Sequence, residues 1–101
     1  MTENGSIYTP VTEKWASVPS FATLNDRELA FLTHAVNGLN NQEIAQRCNV
    51  TPTTVDRVLK ATRKKISTLD GVGEKILTYS HRQSITPALI ENGYFEPVKQ
   101  D

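Results

Sequence analysis

The sequence holds one cysteine, Cys48, and no excess charge of either sign: 11 basic residues face 11 acidic ones. A lone cysteine excludes an intrachain disulfide, so stability must come from an apolar core. No apolar run approaches the roughly 18–20 residues that span a bilayer. Met1–Ile7 is polar and lacks the charged-then-apolar layout of a secretory signal. These absences predict a single cytoplasmic domain with no membrane partner. The two histidines, His34 and His81, have no cysteine or carboxylate cluster at ligand spacing, so no metal site is expected. Gly71-Val72-Gly73 lacks the strand and helix that frame a phosphate loop and reads as a link. No nucleophile can be matched with a base. Neither catalysis nor a cofactor is expected.

Zero net charge is unusual for a protein that neutralises phosphate, but the charge is unevenly spread. Residues 1–23 carry one basic and two acidic residues, 24–70 seven basic and five acidic, and 71–101 three basic and four acidic. Arg57–Lys65 holds five basic residues and no acidic one. The positive charge sits on one segment.

The middle of the chain writes three helix starts with one device. In Leu24-Asn25-Asp26-Arg27-Glu28-Leu29, Asn25 can cap a helix while Glu28 returns the bond, and Leu24 and Leu29 are spaced as a hydrophobic staple. Leu39-Asn40-Asn41-Gln42-Glu43-Ile44 repeats it. In Val50-Thr51-Pro52-Thr53-Thr54-Val55, Thr51 caps, Pro52 takes the first helical position and Val50 meets Val55. The starts predict helices over 26–37, 41–48 and 52–66, with Gly38 ending the first and Asn49 the second. Leu29, Leu32, Val36 and Leu39 form a buried stripe broadened by Phe31 and Ala35, and Ile44, Ala45 and Cys48 form another. Only Asn49, Val50 and Thr51 separate the second and third helices. So short a link forces a steep crossing, the geometry of a helix-turn-helix. Ala45 is small at the crossing, and Val55 is expected to plug the core beneath it.

At about 100° per residue, Val55, Val58, Leu59, Thr62 and Ile66 share one arc of the third helix. Thr53, Arg57, Lys60 and Lys64 share the opposite arc, flanked by Arg63 and Lys65. A helix with a basic outer face suits the major groove of duplex DNA. The candidate DNA-binding residues are Thr53, Thr54, Arg57, Lys60, Arg63 and Lys64. Arg57 can read a base edge by gripping guanine, and Lys60, Arg63 and Lys64 are placed for phosphates. Asp56 interrupts the face. It is expected to pair with Lys60 four residues on, the alternative being acceptance from a cytosine amino group.

Leu24–Ile66 resembles the DNA-binding domain of LuxR/GerE-type bacterial transcription regulators. The resemblance lies in Leu24-Asn25-Asp26-Arg27-Glu28, in Gly38-Leu39-Asn40-Asn41-Gln42-Glu43-Ile44-Ala45 and in Val50-Thr51-Pro52-Thr53-Thr54-Val55. His81-Arg82-Gln83-Ser84-Ile85, followed by Ala88-Leu89 and Gly93-Tyr94, is similar to the family's last helix. Asp56 stands where the family often has a basic residue, and Val58 where it often has histidine. The resemblance implies an all-α fold: a small helical bundle with a helix-turn-helix and a fourth, C-terminal helix, which Thr86 can cap with Pro87 at its first position. It also implies a homodimer on duplex DNA, with Ile85, Ala88 and Leu89 at the dimer contact.

The expected organisation is an N-terminal arm over 1–23, the helix-turn-helix domain over 24–95 and a tail over 96–101. Thr9-Pro10 can open a short helix carrying Val11, Trp15 and Val18, with Trp15 packed on the domain. The arm is too short for a sensor domain, so the domain is expected to stand alone. The expected function is sequence-specific, DNA-binding transcription regulation through the helix 52–66. The main alternative is a protein-interaction module that pairs with another transcription regulator and blocks it. A further rival, a fragment similar to region four of a sigma factor, would act with RNA polymerase.

Overall fold

The computed structural model describes residues 7–69 and 88–98, and these are mostly helical. Strand β1 (Tyr8–Pro10) leads into α1 (Thr12–Ala16) and a 3-10 turn (Ser20–Ala22). Three helices follow: α2 (Asp26–Val36), α3 (Asn41–Cys48) and α4 (Pro52–Ile66). Residues 88–91 are helical, and strand β2 (Phe95–Pro97) comes last.

The three central helices begin where their caps place them. The Asn25 side chain accepts the Glu28 N–H at 2.7 Å, and Glu28 Oε1 accepts the Asn25 N–H at 3.0 Å. Asn40 and Glu43 repeat the box, both bonds at 2.8 Å. Thr51 Oγ1 accepts the Thr54 N–H at 3.2 Å, with Pro52 opening α4. Gly38 has φ +90°, a conformation that carries the chain out of α2 without a Cβ penalty. Helix α2 stops at Val36, one residue short of the expected end. Asn37 is drawn to β1 instead. Its Oδ1 accepts the Tyr8 N–H at 2.7 Å, and its Nδ2 donates to the carbonyls of Tyr8 and Thr33, both at 3.0 Å.

The fold departs from all-α. β1 and β2 pair antiparallel, Tyr8 opposite Pro97, Thr9 opposite Glu96 and Pro10 opposite Phe95. Thr9 and Pro10 therefore belong to a strand, and α1 begins only at Thr12. The register explains how two prolines are tolerated. Val98 N–H donates to Ile7 O and Val11 N–H to Tyr94 O, so the bonded pairs alternate and both prolines fall at positions whose N–H is not part of the ladder. Where a fourth helix is expected, residues 88–91 are helical, and Gly93 turns the chain away at φ +83°. The expected start at Thr86 and Pro87, and the stretch His81–Ile85, lie outside the described residues.

Helix α2 divides the core in two. Leu32 and Val36 face Trp15, Ala22, Ile66, Leu89 and Phe95. Phe31 and Ala35 face Ile44, Ala45 and Val55. The first cluster joins the N-terminal segment to the C-terminal one. Trp15 Nε1 donates to the Tyr94 carbonyl at 2.9 Å, and its ring lies against Tyr94 and Phe95. The second cluster holds α3 and α4 together. Ile44 and Val55 are fully buried there, and Cys48 is half-buried at its edge.

Candidate nucleic-acid interface

The site is built on a turn and a helix. Asn49 ends α3 in the left-handed conformation, φ 57° and ψ 47°. Asn tolerates this conformation better than other residues carrying a Cβ. The Asn49 and Val50 N–H groups both reach the Ala45 carbonyl. Ala45 is itself buried, which lets α4 pass close over α3. Thr51 then starts α4, and Val55 at 0% exposure pins its first turn into the core.

From that anchor α4 runs 15 residues with two unlike faces. Val55, Thr62 and Ile66 are fully buried. The Thr62 hydroxyl, inside the core, donates to the Val58 carbonyl at 2.8 Å and so leaves no unmet donor. On the opposite side Thr53, Arg57, Lys60 and Lys64 are all exposed and share one face. Among the described residues no other element covers them. Thr54 and Arg63 lie at the margins, half-buried. The Thr54 hydroxyl is turned back to the cap, 3.0 Å from that of Thr51.

Two ion pairs sort the charges of this helix. Lys60 Nζ lies 3.1 Å from Asp56 Oδ2, an exposed pair one turn apart. Lys65, adjacent to Lys64 in sequence, points the other way: its Nζ meets Glu28 Oε1 at 2.7 Å and the Thr23 carbonyl at 3.3 Å. Lys65 thus belongs to the scaffold and not to the exposed face. Sequence reasoning placed it beside the basic arc. The signal it lacked is Glu28, which is 37 positions away and already engaged in a cap.

One titratable group outside α4 is shifted. His34, in the last turn of α2, is held below its ordinary value, first by burial and then by the Arg47 charge on α3. Among the described residues no cluster of three or more His, Cys, Asp or Glu could hold a metal ion. Among the described residues no helix is long and apolar enough to cross a membrane. Of the residues expected at a dimer contact, Ile85 lies outside the described part. Ala88 and Leu89 are 1% and 0% exposed, with Leu89 in the core beside Trp15 and Phe95.

A helix held across its predecessor by a left-handed turn, its buried face in the core and its basic face open, defines a helix-turn-helix domain of the DNA-binding class. The family described as bacterial regulatory proteins, luxR family (GerE), matches residues 22–72, half of the chain. The chain belongs to this family, and with it to the DNA-binding transcription regulators. The match runs from the 3-10 turn through α4 and leaves β1, α1 and β2 outside it. No curated protein and no solved structure matches the chain significantly.

Proposed function

We propose that the chain regulates transcription by laying α4 in the major groove of a specific duplex site. Thr53 and Arg57, near the N-terminal end of the helix, read base edges, and Lys60, Arg63 and Lys64 hold phosphates. The reading rests on one observation above the others: Thr53, Arg57, Lys60 and Lys64 stand exposed together while Val55, Thr62 and Ile66 on the opposite arc are at 0% exposure. With about three phosphates neutralised, log affinity falls against log salt with a slope near −3 per subunit. A homodimer on two half-sites about 34 Å apart fits the same geometry.

Charge reversal is the test. Arg57→Glu with Lys60→Glu abolishes retardation of duplex DNA, while the circular-dichroism spectrum stays that of the parent. The second reading, a module that captures another regulator, draws support from the zero net charge and from the neutralisation of Lys60 by Asp56. Under it, the double variant keeps its effect on transcription and its partner.

A further inference from the structure

The Asp56–Lys60 pair lies on the face that the proposed function turns toward DNA. Asp56 is half-exposed at 51% and Lys60 more so at 71%. An ion pair this open to water contributes little to folding. Nor does Asp56 serve the helix dipole, because it lies beyond the first turn of α4, which holds no acidic residue. Nothing in the packing of α4 calls for a carboxylate here. Its surroundings matter instead. Along α4, Asp56 lies between Thr53 and Arg57, the two side chains of the exposed face closest to the helix N-terminus. Lys60 holds one oxygen, Oδ2, on the side of the next turn. A carboxylate has acceptor capacity for several donors and no proton to give.

We infer that Asp56 is a specificity-determining residue of the α4 surface: it accepts from the amino group of a cytosine, with Lys60 fixing its orientation. The inference rests on the reading that α4 enters the major groove. In that groove cytosine presents a donor alone, adenine a donor beside the N7 acceptor, and guanine and thymine acceptors that a carboxylate repels. Lys60 serves two ends. It holds the carboxylate in one rotamer, and it offsets the repulsion between that carboxylate and the phosphates on the groove rim. The pair as a unit brings no net charge to the DNA. The neighbouring Arg57 grips an acceptor edge, so the two adjacent side chains call for bases of opposite character.

The test uses the full chain, Asp56→Ala and Asp56→Asn, each selected against a pool of duplexes randomised over roughly one helical turn of about 10 base pairs. Asp56 is exposed, so both variants fold, and thermal melts within a degree or so of the parent verify it. The parent enriches cytosine at one position by about tenfold over the other bases. Asp56→Ala loses that preference and binds random duplex more tightly, because no carboxylate then repels the phosphates on the groove rim. Asp56→Asn shifts the same position toward adenine, which a carboxamide grips through its amino group and ring nitrogen. One selected motif common to all three proteins would overturn the inference and leave groove binding standing. A parent that neither retards random duplex nor enriches any sequence would overturn groove binding, and the inference with it.

Discussion

One carboxylate oxygen of Glu28 accepts from two donors at once, the Lys65 ammonium at 2.7 Å and the Asn25 amide at 3.0 Å. The first bond ties the last turn of α4 to the first turn of α2; the second closes the cap that starts α2. The Glu28 side chain is 8% exposed, so both bonds form largely out of water. Removing one partner of such a pair leaves the other charge stranded. Glu28→Ala is expected to cost about 2–4 kcal/mol, combining the lost pair with the weakened cap. Glu28→Gln keeps an acceptor for the Asn25 amide and costs about half as much. Urea unfolding midpoints measure both, and an unchanged midpoint for Glu28→Ala would refute the role.

The Tyr94 carbonyl is a second shared acceptor. It takes the Val11 N–H and the Trp15 indole N–H, each at 2.9 Å. Trp15→Phe therefore leaves no orphaned carbonyl, because Val11 still donates. The loss is one hydrogen bond and part of a ring, about 1–2 kcal/mol. Trp15→Ala empties a site bounded by Tyr94 and Phe95 and costs about 3–5 kcal/mol. Trp15 is the only tryptophan, so circular dichroism must follow the unfolding of both variants. Equal losses for Phe and Ala would show that the indole N–H, and not the packing, anchors the N-terminal segment.

These two anchors mark where the sequence was legible and where it was not. Caps and turns are decided within four or five residues. That is why Asn25, Asn40 and Thr51 announced their helices and why Asn49 announced a left-handed residue, found at φ 57°. The exposed face of α4 followed from helical period alone, as did the burial of Val55 and Ile66 opposite it. The family resemblance rested on the same residues. The long-range pairings were not legible. Tyr8 and Asn37 are 29 positions apart, and neither has a pattern that names the other. A three-residue strand such as Tyr8–Pro10 carries too few alternations to stand out, and its proline argued for a helix start. Lys65 looked like part of the basic arc because a helical wheel cannot say which neighbour reaches in to claim a flanking cation.

His34 makes stability depend on pH in one direction. Burial and Arg47 hold its folded pKa below the unfolded value of 6.5. The folded state then binds fewer protons than the unfolded chain just below that value. Stability is complete above about pH 6.5 and is lost as pH falls through the unfolded value toward the folded one. His34→Gln is expected to flatten this part of the urea-midpoint profile. Arg47→Gln removes the smaller of the two causes, so the His34 titration followed by NMR moves up part of the way toward 6.5. A His34 titration at or above 6.5 in the folded parent would contradict the arrangement.

Lys64 and Lys65 are neighbours in sequence with opposite expected effects. Lys64 is exposed on the face of Thr53, Arg57 and Lys60. Lys65 is held by Glu28 and the Thr23 carbonyl. If α4 binds phosphate with the open face, Lys64→Gln lowers affinity for every duplex alike and reduces the salt slope by about 0.9, since one counterion fewer is released. Its unfolding free energy, from urea titration, stays within about 0.5 kcal/mol of the parent, as for most exposed substitutions. Lys65→Gln does the reverse. It strands the Glu28 carboxylate, lowers stability by about 1–3 kcal/mol, and leaves the salt slope unchanged at temperatures where the variant is folded. Measuring both quantities on both variants separates a lysine that meets DNA from one that meets the protein. A salt slope that falls equally in the two would mean that Lys65 leaves Glu28 when DNA arrives, and the face would then be wider than the free protein displays.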